Sequence, residues 1–103
     1  MTFPLAALGA DGIISVVANE VPAEFSQMVR YALKGNFARA REMHFRLLDL
    51  MNANFVESNP IPVKAAMAMM GLMEESYRLP LTPLGEKSRV KLEKALKQLK
   101  LVR

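Results

Sequence analysis

The sequence predicts a mainly α chain, one domain in length, with a single strand. Three observations carry this. Apolar residues recur at three- and four-residue spacing over most of the chain, which is one face of a helix. Glycine, asparagine and proline fall where such helices would stop and start. One run, Ile13-Ile14-Ser15-Val16-Val17-Ala18, breaks the helical period, and Gly9, Asp11, Gly12, Asn19 and Pro22 punctuate its two sides. A run so short, apolar and β-branched reads as a strand buried on both faces, as parallel sheets require. No other stretch of the chain offers it a parallel neighbour.

With 103 residues and 51% hydrophobic composition, the chain can bury a modest core. Eight methionines against seven aromatics make that core one of flexible aliphatics. There is no cysteine, so disulfides and thiolate metal sites are excluded and a reducing, cytoplasmic setting is expected. No apolar run approaches the about 20 residues that span a bilayer. Met1 to Ala10 is apolar but lacks a positive flank, since the first basic residue is Arg30, and is not expected to be a signal peptide. Residues 86–103 hold seven Lys/Arg and two Glu, a balance of +5, while residues 1–85 balance at −1. The basic character therefore belongs to the last helix. With no aromatics interleaved, that helix reads as a solvated face, so neither nucleic acid nor membrane is an expected partner.

Met1 to Leu8 reads as the end of a helix stopped by Gly9; Pro4 fits only near a helix start. Pro22 opens the next helix, whose stripe is Phe25, Met28, Val29, Ala32 and Leu33. Gly35 stops it and Asn36 caps the following one. That third helix runs from about Phe37 to Phe55, with Phe37, Ala40, His44, Leu47, Leu48, Met51 and Phe55 on one face. Pro60 and Pro62 fix residues 57–62 as an extended connector, and a helix apolar nearly all round follows from Val63 to about Gly71. Leu79 to Leu84 is a second proline-fixed segment, its leucines expected to pin it to the helices. Gly85 caps the last helix, with Glu86 in its first turn and Leu92, Ala95, Leu96 and Leu99 as its stripe.

No constellation in these residues carries a reaction. Ser15 has no His or acid near it in sequence. His44 has Ala40 and Leu48 one turn away rather than a ligand or carboxylate, so it reads as a packed, hydrogen-bonded histidine. Glu74 and Glu75 are adjacent and point apart on a helix, which favours solvated surface. Ser58 and Asn59 near Lys64 could hold an anion at a helix start, but backbone capping explains them equally. No phosphate loop, metal spacing or dinucleotide fingerprint is present.

Four stretches nevertheless form a recognisable order: residues 8–19, Leu-Gly-Ala-Asp-Gly-Ile-Ile-Ser-Val-Val-Ala-Asn; residues 35–41, Gly-Asn-Phe-Ala-Arg-Ala-Arg; residues 57–64, Glu-Ser-Asn-Pro-Ile-Pro-Val-Lys; and residues 78–84, Arg-Leu-Pro-Leu-Thr-Pro-Leu. In content and spacing they resemble the C-terminal part of the dihydrodipicolinate synthase / N-acetylneuraminate lyase family, over essentially the whole chain. The resemblance implies the helical C-terminal portion of a truncated (β/α)₈ barrel, in which residues 1–34 hold the last strand (the eighth) and helix, and residues 35–103 form a C-terminal helical region. It implies a Schiff-base lyase: pyruvate joins a lysine and then condenses with aspartate semialdehyde on the route to diaminopimelate and lysine, with no cofactor. The Schiff-base lysine, the proton-transfer tyrosine and the carboxylate-binding threonines would all lie upstream. Lys64, Tyr31 and Tyr77 do not match them, so no catalytic residue is expected in this chain, and the chain alone is expected to be inactive. One site position carries over, Ile14, as a contact to bound pyruvate. A homotetramer is implied for the complete enzyme.

Two other readings compete. A neuraminate lyase or sugar-acid aldolase of the same family differs mainly in residues outside this chain. A free-standing helical interaction module is disfavoured, because an apolar strand without a sheet would leave its backbone unpaired. On its own, the chain is expected to be helical throughout, with residues 12–18 extended and unpaired.

Overall fold

The computed structural model describes all residues, 1–103. Five α-helices follow one another: α1 Thr2–Ala7, α2 Pro22–Leu33, α3 Phe37–Ala53, α4 Ile61–Met69 and α5 Glu86–Gln98, with a short 3₁₀ helix at Val17–Asn19. The chain forms two compact units, Met1–Leu48 and Asp49–Arg103, dividing within α3.

The expected strand is not formed. Residues 10–15 belong to no helix or ladder, and the end of the apolar run turns into the 3₁₀ helix. The reason is local. A strand exists by pairing, and no other segment of the chain forms a ladder with it. At the far end Asn19 competes for the backbone. Its N–H and its Nδ2 both donate to the Val16 carbonyl, at 3.0 and 2.9 Å, closing a turn where a ladder would continue. The mainly α class holds; its one strand is corrected to an irregular segment ending in a turn.

In the first unit, α1 packs on α2, and the 3₁₀ helix also packs on α2. Pro22 is the first residue of α2, where its missing N–H costs nothing. Phe25, Met28 and Ala32 are buried as expected, but Leu33 is half-exposed. The α2–α3 junction follows the sequence closely. Gly35 takes φ +73°, a region open to glycine. The Asn36 N–H reaches back to the Tyr31 carbonyl at 2.9 Å. Asn36 then turns its Oδ1 to the Arg39 N–H at 3.3 Å, capping α3. Along α3 the buried face is rotated from the expected stripe. Ala40, Leu47, Leu50 and Ala53 are buried, whereas Phe37 and Phe55, at the ends of the expected stripe, are exposed.

In the second unit, α4 packs on α5. Helix α4 begins at Ile61, earlier than expected, with Pro62 in its first turn. Ile61, Pro62, Val63, Ala65 and Ala66 are buried, as an all-apolar helix requires. From α5, Leu92, Ala95 and Leu96 face them, and the lysines stay outside. The leucines of residues 79–84 divide: Leu84 is buried, but Leu79 is 88% exposed and pins nothing. The peptide bonds before Pro60 and Pro80 are cis.

Candidate functional site

The segment between α1 and α2 carries the one site residue expected from sequence. Gly9, at φ +103°, ends α1, and the Ala10 N–H closes the turn on the Leu5 carbonyl at 3.1 Å. From there to residue 15 the chain makes no backbone–backbone hydrogen bond. Side chains alternate along this stretch. Ile13 and Ser15 line an open cleft of about 420 Å³ with Ala18, Phe25, Val29 and Arg30. Ile14, between them, is 103% exposed and does not line it. Such alternation is the two-sided arrangement of a strand, kept without the sheet. Ile14 thus faces solvent from a stretch whose backbone makes no backbone–backbone hydrogen bond.

His44 meets its expectation in part. It is packed, as the sequence implied, against Phe3 at 6.0 Å and Phe45 at 5.5 Å between ring centroids. It is not hydrogen-bonded through Nδ1, which is buried without a partner. Burial, and secondarily the positive N-terminus, lower its pKa from the ordinary 6.5. Ser15 lines the cleft, whereas His44 packs among the rings of Phe3 and Phe45.

A polar cluster that sequence reasoning missed lies in the second unit. The Tyr77 hydroxyl donates to Glu75 Oε1 at 3.0 Å, and the Ile61 carbonyl, 3.3 Å away, is a second acceptor for its one proton. Arg89, on α5, donates Nη2 to the same Glu75 oxygen in a short ion pair. Lys64 Nζ sits 5.2 Å above the Tyr77 ring. The guanidinium of Arg89 holds the Glu75 carboxyl below its ordinary range. Burial first, then the bond to Glu75, push Tyr77 up to about 12. Nearby, Glu57 Oε1 accepts from the Gly85 N–H at 3.1 Å and caps α5 from outside the helix. These groups join the 72–84 segment to α4 and α5, a structural task. Glu75 is therefore an ion-pair partner rather than solvated surface. The Ser58-Asn59 stretch uses backbone capping: the Ile61 N–H donates to the Ser58 carbonyl at 2.9 Å. No three His, Asp or Glu side chains converge as metal ligands would, and no helix is long and apolar enough to cross a membrane.

The profile of the dihydrodipicolinate synthetase family matches residues 1–99. The chain belongs to that family. It is 54% identical over 94 residues to the 4-hydroxy-tetrahydrodipicolinate synthase of Koribacter versatilis, covering 91% of this chain and 31% of the relative. It is 53% identical over 102 residues to the synthase of Methanocaldococcus jannaschii, covering 99% of this chain and 35% of that one. Among solved structures it superposes on the chloride-inhibited dihydrodipicolinate synthase of Acinetobacter baumannii complexed with pyruvate. There the TM-score is 0.93 and the identity 43%, over 97% of this chain and 34% of that one. The chain thus spans about a third of the length of these family members, and its helices match the corresponding part of their structures.

Proposed function

We propose that this chain supplies the C-terminal third of a 4-hydroxy-tetrahydrodipicolinate synthase, a Schiff-base lyase that condenses pyruvate with aspartate semialdehyde. One observation carries the reading. Residues 11–15 make no backbone–backbone hydrogen bond, Ile13 and Ser15 face one side and Ile14 the other, and Ile14 stands fully exposed. That is the condition of a barrel's eighth strand with its neighbours absent, and strand residues at the C-terminal face of a barrel line its pocket. In the complete enzyme, residues 1–34 are the last strand and helix, residues 35–103 the helical region, and Ile14 an apolar wall beside pyruvate. The lysine that forms the Schiff base and the tyrosine that moves the proton belong to the other two thirds, in a cytoplasmic homotetramer. This chain's own residues therefore exclude water and orient the substrate, and they do not react.

The test is complementation. The Methanocaldococcus jannaschii synthase lacking its matching third is co-expressed with this chain, and pyruvate–aspartate semialdehyde condensation is measured. Activity is expected in the pair and absent from each part. Ile14→Asp in this chain is expected to abolish it while leaving the pair associated. Borohydride trapping of pyruvate on this chain alone, or an associated pair that stays inactive, would refute the proposal.

A further inference from the structure

Helix α1 spans Thr2–Ala7. It has six residues, includes Pro4, has no side-chain cap, and buries only Thr2. Its place is set by tertiary contacts rather than by its own buried face. Besides its packing on α2, its contact outward is the Phe3 ring, edge-on to Phe37 at 5.9 Å and 6.0 Å from the His44 imidazole. The imidazole is itself backed edge-on by Phe45. Its Nδ1 is buried in this aromatic setting with no hydrogen-bond partner. A neutral imidazole tolerates this, because Nδ1 is then a bare acceptor and Nε2 carries the proton. A protonated ring does not, because both nitrogens then bear N–H and one faces no acceptor.

We propose that His44 is a proton-operated latch, holding the first helix and the Ile13–Ile14 segment behind it only while its ring is neutral. The charges around the ring offer an imidazolium no support. Helix α1 has no ionisable side chain, and the group at its start is the positive N-terminus. On α3, the positions one turn away are Ala40, Arg41, Leu47 and Leu48, of which the one charged residue is positive. Helix α2, packed on α1, carries Glu24, Arg30 and Tyr31, none of which shifts the imidazole. Burial, then the N-terminal charge, favour the neutral form. The fold therefore binds the proton less readily than the open chain does. The latch is fully closed above the ordinary value of 6.5 and opens as the pH falls below it. The consequence reaches the candidate site through covalent geometry. The turn at Gly9, tied by Ala10 to Leu5, launches the segment that carries Ile13 and Ile14.

The experiment is amide hydrogen exchange on the full chain at about pH 7.5 and about pH 5.5, expressed as protection factors so that intrinsic rates cancel. Protection at residues 5–10 is expected to fall by at least about threefold at the lower pH while that of α5 is unchanged. In His44→Phe the pH dependence is expected to vanish with protection retained. His44→Gln, also unable to charge, serves if the phenylalanine variant does not fold. Acetylating the N-terminus is expected to weaken the pH dependence without removing it. Direct NMR titration of the ring is expected to give a pKa below 6.5 in both forms. Equal protection at both pH values, a pH dependence that survives in His44→Phe or His44→Gln, or a ring titrating at or above its ordinary value would overturn the proposal.

Discussion

Replacing Tyr77 by Phe tests whether the polar cluster holds the second unit together. The substitution keeps the ring under Lys64 and removes one hydroxyl. The size of the loss follows from what remains. Glu75 keeps its ion pair with Arg89, and the Ile61 carbonyl keeps its place in the first turn of α4, so neither acceptor is orphaned. What is lost is one net hydrogen bond to a charged acceptor, typically about 1.5–3 kcal/mol. Because the Glu75 side chain retains 24% of its exposure, the lower end applies, about 1.5 kcal/mol. Urea unfolding followed by circular dichroism should show that loss. Arg89→Gln should cost about 1 kcal/mol alone. The two changes meet at one carboxylate oxygen, so the double variant should show a coupling of about 0.5–1 kcal/mol. Ultraviolet titration adds an independent reading: one tyrosine should ionise near 12 in the parent and be missing in Tyr77→Phe. Folding favours the neutral phenol, so this contribution is intact below the ordinary value of 10 and is lost as pH rises through about 12. Additive variants, or a Tyr77→Phe chain as stable as the parent, would refute the assignment.

Three further outcomes follow from the same geometry. Leu92→Ala empties a fully buried position on α5 and should cost about 3 kcal/mol, read as a lower urea midpoint; a change under about 1 kcal/mol would mean the α4–α5 face is loosely packed. Lys100 ends α5 at φ +59°, and the Leu101 N–H closes the turn on the Leu96 carbonyl, so Lys100→Gly should stabilise by about 0.5–1 kcal/mol in thermal unfolding. Acidification should weaken the second unit through Glu75. Its folded pKa lies below the ordinary 4.5, so the contribution is present above that value and is lost as pH falls through the folded one, a loss that Glu75→Gln should remove.

The helices were legible because their signals are local. Pro22, Gly35, Asn36 and Gly85 mark boundaries by their own backbone chemistry, and the structure uses each as marked. The buried face of α3 was not legible in detail. Phe37, Ala40, His44 and Leu47 fit one stripe, but Leu50 and Ala53 fit another, and only the neighbours decide between them. The Tyr77–Glu75–Arg89 cluster was hidden for the same reason. Glu75 and Arg89 are fourteen positions apart, with a proline-bearing segment between them. No periodicity links residues across such a segment. A tyrosine in an otherwise charged stretch, with a basic helix to follow, was the one available signal.

The failed strand is the more instructive case. Its residue choice is unambiguous, with β-branched side chains alternating about Ser15, yet β preference expresses fit to a pleated, partnered surface rather than a property of the backbone alone. The structure separates the two. Alternation survives, since Ile13 and Ser15 face a cleft and Ile14 faces away, while the ladder does not form. The end of the run folds instead into turn hydrogen bonds, from Asn19 to the Val16 carbonyl and from Glu20 and Val21 to the Val17 carbonyl. A side-chain pattern written for two buried faces, on a backbone that makes no backbone–backbone hydrogen bond at residues 11–15, specifies a neighbour on each side. The relatives, three times as long, have chain enough to supply both. Pairing on both sides would bury Ile14 and would require the Val16–Asn19 turn to open only if the ladder ran past Val16. A ladder confined to residues 11–15 leaves that turn intact, and with it the Asn19 bonds that set the entry into α2.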